Sequence, residues 1–200
     1  MSANVNNSLS IEYQTEQSRL NILGFWIFLG AEIILFSTLF ATFGVLKGST
    51  MGGPSPKELF EINGVMAETL ILLTSSFTCG LAVYEMHRKN KKGLLAWFGV
   101  TLLLGASFVG LEVTEFIKYV HEGATLQTNA FYSAFFTLLG THGMHVSLGI
   151  GWGIMVMLQI AKRGIDSVTA RKTFIIGLYW HFLDVIWIFI FTFVYLGRMV

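Results

Sequence analysis

Eight side chains in this sequence can ionise or ligate and yet lie inside long apolar runs: Glu32, Glu68, Glu112, Glu115, His142, His145, His181 and Asp184. An ionised acid near the centre of a bilayer costs about 2.5 to 3.5 kcal/mol on insertion scales, so such groups must pair, protonate or face the inside of a bundle. Glu32, His142, His145, His181 and Asp184 fall near the middle of their runs, and Glu68 and Glu112 at comparable depth in the outer half. Glu115 is three residues from Lys118, where an apolar run ends. Glu112 and Glu115 are three apart, as are His142 and His145, and His181 and Asp184. On a helix each pair shares a face.

Three chemistries are open to these residues. They can form a hydrogen-bond network that fixes helix packing, line a proton or ion path, or hold a metal or haem. Haem ligation would use one histidine from each of two helices, such as His142 or His145 with His181. A carboxylate di-iron bundle wants Glu-x-x-His on two helices. This chain instead has Glu-x-x-Glu, His-x-x-His and His-x-x-Asp, and Asp184 is a ready partner for His181. The metal reading is the weakest of the three.

The elements that must position these groups follow from composition. Of 200 residues, 54% are hydrophobic and 12% charged, and the mean hydropathy is +0.64. A soluble domain carries about 25% charged residues, so a soluble enzyme, a disordered tail and a nucleic-acid-binding domain with its basic face are excluded. The lone cysteine, Cys79, excludes an intrachain disulfide and a multi-thiolate site. Five stretches can each cross a hydrocarbon core, which takes about 20 apolar helical residues. They run over Ile22–Val45, Ile62–Met86, Gly93–Lys118, Phe131–Ala161 and Thr173–Leu196. None alternates with the period of two of a barrel strand. The expected fold is all-α, an integral membrane bundle of five transmembrane helices. The fourth stretch is long enough that it must tilt or emerge from the hydrocarbon.

Residues 1–21 are polar and lack the basic start of a signal peptide, so the first span is expected to stay uncleaved. Residues 22–200 then form one five-helix domain. Basic residues fix its direction. Arg19, Arg88, Lys89, Lys91, Lys92, Lys162, Arg163, Arg171 and Lys172 share one side, against Lys47, Lys57, Lys118 and Arg198 on the other. The positive-inside rule places the N-terminus in the cytoplasm and the C-terminus outside. The basic loops also suit anionic lipid headgroups.

Small residues extend the polar faces: Gly105 that of Glu112, Gly149 and Gly153 that of His145, and Gly177 that of His181. They are expected to let helices approach closely. A second stripe, Gly143, Ser147 and Gly151, predicts that the fourth helix packs on both sides. Trp26, Tyr84, Trp97, Tyr132 and Tyr195 lie near span ends and are expected in the interfacial belt. Trp180 and Trp187 are expected to pack, and Cys79 to fill space.

Several strings resemble one family, subunit 3 of the haem-copper terminal oxidases. They are Tyr179-Trp180-His181-Phe182-Leu183-Asp184-Val185-Ile186-Trp187, Gly140-Thr141-His142-Gly143-Met144-His145-Val146, Phe108-Val109-Gly110-Leu111-Glu112, and Leu23-Gly24-Phe25-Trp26 leading to Glu32. The resemblance runs from about Leu20 to the C-terminus, and five spans look like the bacterial short form. The opening from Glu12 to Glu32 looks most like the menaquinol oxidases, with the cytochrome c oxidase branch as the alternative.

The resemblance implies a non-redox subunit of a proton-pumping quinol oxidase, which oxidises membrane quinol and reduces oxygen to water. It implies no cofactor on this chain, haems and copper in partner subunit 1, and direct packing on that subunit, with subunits 2 and 4 in the same complex. It also implies a bacterial cell membrane location and a supporting role in proton uptake. Glu68 is expected to hydrogen-bond to a neighbouring helix, through Glu112 or a histidine of the fourth span. A standalone proton-coupled transporter is the rival from another class, but the spans show neither Pro interruptions nor a repeated half. A haem-binding anchor would require the histidines as ligands.

Overall fold

The computed structural model describes residues 9–50 and 62–197. Residues 1–8, Lys57 and Arg198 of the sequence analysis lie outside them. A short 3-10 turn, Ile11–Tyr13, precedes five long helices: α1 (Glu16–Leu46), α2 (Ile62–His87), α3 (Lys91–His121), α4 (Ala130–Arg163) and α5 (Ser167–Ile190), the last continued by a π-helical turn, Phe191–Leu196. All five are long and apolar enough to cross a membrane. Their 34-residue maximum, in α4, corresponds to about 50 Å at 1.5 Å per residue, well beyond a hydrocarbon core of about 30 Å.

Side chains at the loop ends start four of the helices, as short polar residues do by accepting from the first free N–H groups. Thr15 Oγ1 accepts from the Ser18 N–H at 3.1 Å, Asn90 Oδ1 from Gly93 at 3.2 Å and Asn129 Oδ1 from Tyr132 at 2.9 Å. Asp166 Oδ1 accepts from the Thr169 N–H at 2.7 Å, while Thr169 Oγ1 accepts from the Asp166 N–H at 2.8 Å, closing a reciprocal capping box. The three-residue gap between α4 and α5 is turned at Gly164, whose φ of +80° is a conformation that suits glycine. The Thr169 N–H, joined by the Thr169 hydroxyl, the Val168 N–H and the Arg163 charge, holds the Asp166 carboxyl below its ordinary range despite partial burial.

Packing is uneven. α2 lies mainly along α3, α4 touches α1, α3 and α5, and α5 touches α1, α2 and α4. The centre is thus shared by α4 and α5, while α1 buries the smallest share of its length. Glycines act where expected, but they admit side chains more than backbones. A Cβ on Gly105 would stand 2.6 Å from Trp180 Cζ2, and one on Gly153 2.6 Å from Leu102 Cδ2. Gly149 receives the ring of Tyr179 in the same way, and Gly177 receives Val83.

Two expectations are corrected. The second stripe on α4 is not a seam: Gly143 is buried, but Ser147 and Gly151 are exposed and no described residue lies within 4 Å of a Cβ built on Gly151. The Ser147 hydroxyl instead donates to the carbonyl of Gly143 in its own helix. In the aromatic belt, Trp26, Tyr84 and Trp97 are exposed, whereas Tyr132 and Tyr195 are buried. Tyr132 packs edge-on to Phe131, and Tyr195 to Phe135 of α4. Nearness to a span end does not set which face a residue occupies.

The tight seat of Trp180 makes Gly105→Ala an overpacking change, expected to destabilise by about 1–3 kcal/mol. Thermal unfolding in detergent should show a lower midpoint, with Gly110→Ala as control, since no described residue lies within 4 Å of a Cβ there. Asp166→Ala is expected to lose about 0.5–2 kcal/mol of capping. Because the folded-state pKa of Asp166 is depressed, its contribution is full above the unfolded carboxyl value and is lost as pH falls through the folded one. The gap between wild type and variant in the same assay should therefore close in acid, and a gap independent of pH would contradict the assignment.

Candidate functional site

The polar groups of the bilayer interior form several small clusters. His142 of α4 is at the centre, fully buried. Its ring stacks on Trp187 of α5 at 5.4 Å between centroids and meets the edge of Phe108 of α3 at 5.9 Å and Phe36 of α1 at 6.4 Å. Neither ring nitrogen has a hydrogen-bond partner among the described residues. The two indoles beside this centre are anchored to α2. Trp187 Nε1–H donates to Thr69 Oγ1 at 3.0 Å, and Trp180 Nε1–H donates to Ser75 Oγ at 2.7 Å. A buried indole usually finds such a partner.

One turn along α4, His145 faces α1. Its Nδ1 is 2.7 Å from the carbonyl oxygen of Thr141, which can only accept, so Nδ1 carries a proton. Its Nε2 is 3.1 Å from Glu32 Oε2. That spacing is a charge contact rather than an aligned hydrogen bond, because Glu32 Oε2 has no hydrogen-bond partner of acceptable geometry among the described residues. It joins opposite charges when the imidazole holds its second proton. Phe36 covers the pair, with its ring 5.3 Å from that of His145.

The paired acids of α3 diverge. Glu112 presses its carboxylate onto α4 where Gly143 leaves room: a Cβ on Gly143 would overlap it. Glu115 turns to α2, where its Oε1 would be 2.6 Å from a Cβ on Gly64, and its Oε2 accepts from the Tyr119 hydroxyl at 3.0 Å. Glu68 is buried on α2. The expected hydrogen bond from Glu68 to Glu112 or a fourth-helix histidine is not formed, and neither of its oxygens has a partner among the described residues. Glu112 is committed to the Gly143 notch, and His142 and His145 are held by Trp187 and Glu32.

The last cluster joins α2 and α5. Ser76 Oγ is 2.7 Å from His181 Nδ1, and Asp184, three residues along α5, lines the same groove. Either atom of the Ser76–His181 bond can carry the proton, according to the tautomer of the ring. His181 is exposed on the outer surface of the helix pair, while Ser76 and Asp184 are buried.

The structure thus brings Glu32 to His145, Glu112 and Glu115 to glycine notches on different helices, and His181 to Ser76. The histidine pair suggested for haem does not converge: His145 is engaged by α1 and His181 by α2. No group of three or more His, Cys, Asp and Glu side chains assembles into an ion site among the described residues.

Hydroxyl groups are what the sequence reading missed. Thr69, Ser75, Ser76 and the Thr78–Thr101 pair, whose oxygens are 2.8 Å apart, supply the interhelical partners of α2. Their signal is the run Thr74-Ser75-Ser76 and Thr78 inside an otherwise apolar span.

The sequence profile of the family described as cytochrome c oxidase subunit III matches residues 12–198. The chain is 63% identical over 191 residues to quinol oxidase subunit 3 of Bacillus subtilis (strain 168), covering 96% of this chain and 94% of that one. It is 52% identical over 186 residues to cytochrome c oxidase subunit 3 of Bacillus sp. (strain PS3), covering 93% and 90%. The probable quinol oxidase subunit 3 of Staphylococcus saprophyticus is 52% identical over 192 residues, 96% of each chain. Five membrane-length helices, polar groups spent on helix contacts and this end-to-end similarity agree: the chain belongs to the cytochrome c oxidase subunit III family.

Proposed function

We propose that this chain is subunit 3 of a bacterial proton-pumping quinol oxidase, and that its own contribution is to pack on and stabilise subunit 1, which holds the haems and copper. Its names among relatives favour the quinol branch over the cytochrome c branch. The observation that carries the stabilising role is that most of the mid-span acids and histidines are engaged in helix contacts: Glu32 with His145, Glu112 at Gly143, Glu115 at Gly64, His142 on Trp187, and His181 at Ser76. Such groups hold helices in register. Electrons and oxygen are handled by the partner, and the excess of basic residues at the α2–α3 and α4–α5 connections supports a cytoplasmic position for those loops.

Purification of the oxidase through a tag on this chain should bring down a larger haem-bearing subunit, and the separated chain should show no Soret absorbance. A lone, colourless chain in a stable preparation would support a transporter instead, and a lone coloured one a haem anchor. Removing the chain is expected to leave initial quinol oxidation but shorten the working life of the enzyme under turnover.

The Glu32–His145 contact separates packing from proton conduction. Glu32→Ala is expected to lower the amount of assembled complex while protons pumped per electron in the remaining complex stay unchanged. Full assembly with reduced pumping would overturn the stabilising role in favour of a proton path.

A further inference from the structure

The outer surface of the α2–α5 pair carries a groove of about 400 Å³ that the bundle itself leaves unfilled. Leu73, Phe77, Gly80 and Leu81 form its α2 side, and His181 with Asp184 its α5 side. His181 stands halfway along the 30-residue span Ser167–Leu196, about 20 Å of helix from either end at 1.5 Å per residue. Ser76, its partner, is likewise near the middle of α2. The polar centre of the groove is therefore at mid-membrane depth whichever way the chain is inserted.

His181 is exposed there. Its Nδ1 is taken up by Ser76 Oγ at 2.7 Å. Nε2 is left with no hydrogen-bond partner among the described residues. Acyl chains offer no partner, and headgroups and bulk water lie too far along the helix to supply one. An intramembrane polar group of this kind ordinarily faces a protein interior or another polar group. Backbone groups of a neighbouring membrane helix are used within that helix, so the missing partner has to be a side chain.

The apolar surroundings have the shape of a helix seat. Phe77 is 68% exposed and Leu73 39%, and they flank the polar centre as an apolar rim. Gly80 opens the floor, and no described residue lies within 4 Å of a Cβ built there. Packing among the described residues gives no reason for a glycine at that point, whereas close approach of an outside helix does.

We propose that the α2–α5 groove seats a transmembrane helix of another subunit of the oxidase, which presents a hydrogen-bonding side chain to His181 Nε2 at mid-membrane depth. The proposal rests on the reading of this chain as an oxidase subunit and adds the face and the chemistry of contact. A lipid tail or a second copy of this chain are the competing occupants.

Photocrosslinking in intact membranes of the producing cell decides between them. Benzoylphenylalanine replaces Phe77, an exposed position that the bundle does not need for folding, or Leu103 on α3 or Ile34 on α1, which are also exposed. Position 77 is expected to give an adduct with a membrane span of another oxidase subunit. Lipid adducts alone, or an adduct with a second copy of this chain, would overturn the proposal. Oxidase adducts from 103 or 34 but not 77 would overturn this site and leave the subunit reading standing. Adducts with no oxidase subunit from any position, together with failure to co-purify, would remove both.

A second readout tests the hydrogen bond. His181→Leu is expected to reduce the fraction of chain retained on the detergent-washed complex by about three- to tenfold, with His181→Gln close to wild type. Chain abundance in the membrane before extraction should be the same for both. Wild-type retention of the leucine variant would overturn the role of His181.

Discussion

Hydrocarbon gives a polar side chain nothing to bond to, and this bundle is organised by that constraint. The indoles of Trp180 and Trp187 could not be buried on α5 without acceptors, and Ser75 and Thr69 of α2 supply them at 2.7 and 3.0 Å. Each such bond fixes one helix against another at a single register, which dispersion between apolar faces does not do by itself. Gly105 then lets α3 close over the anchored Trp180, and His142 stacks on the anchored Trp187. The α2–α5 indole bonds thus set the positions from which α3 and α4 take theirs.

The acids show the same economy. Glu112 and Glu115 share a helix and a spacing, yet one serves α4 and the other α2. Both go where a glycine leaves space for a carboxylate, so the notch decides the direction as much as the acid does. Glu32 holds α1, the helix with the least burial, to α4 through His145. These placements hold the helices against one another at defined points.

Outside the membrane, polar contacts close the basic end of the bundle. Glu12 of the 3-10 turn is buried against His87 at the end of α2, at 3.1 Å, while Tyr13 meets the ring edge of Phe174 and Arg171 donates to Ser18 Oγ. Burial, and secondarily the charge of Glu12, push the Tyr13 phenol above its ordinary value. The segment before α1 reads as a polar tail by composition, yet from Ile11 onward it is a strap across α2 and α5. Composition could not reveal this, because a polar residue facing water and one facing a polar helix end look alike in sequence.

The amino-acid sequence by itself determined five membrane spans within a few residues of their ends, the polar residues they carry, and the family. Long apolar runs, capping residues such as Asn90, Asn129 and Asp166, and motif strings are local signals that need no partner to be read. Tertiary structure alone decided which helix each acid and histidine serves. Helical spacing fixes that Glu112 and Glu115 share a face but not that Gly143 and Gly64 draw them apart, and it gives Tyr132 and Tyr195 a depth but not a direction. Nor could spacing separate Ser76, which binds His181, from Thr74, which bonds its own backbone. Depth along a helix is written in one chain segment, whereas the partner of a side chain depends on how five segments pack together.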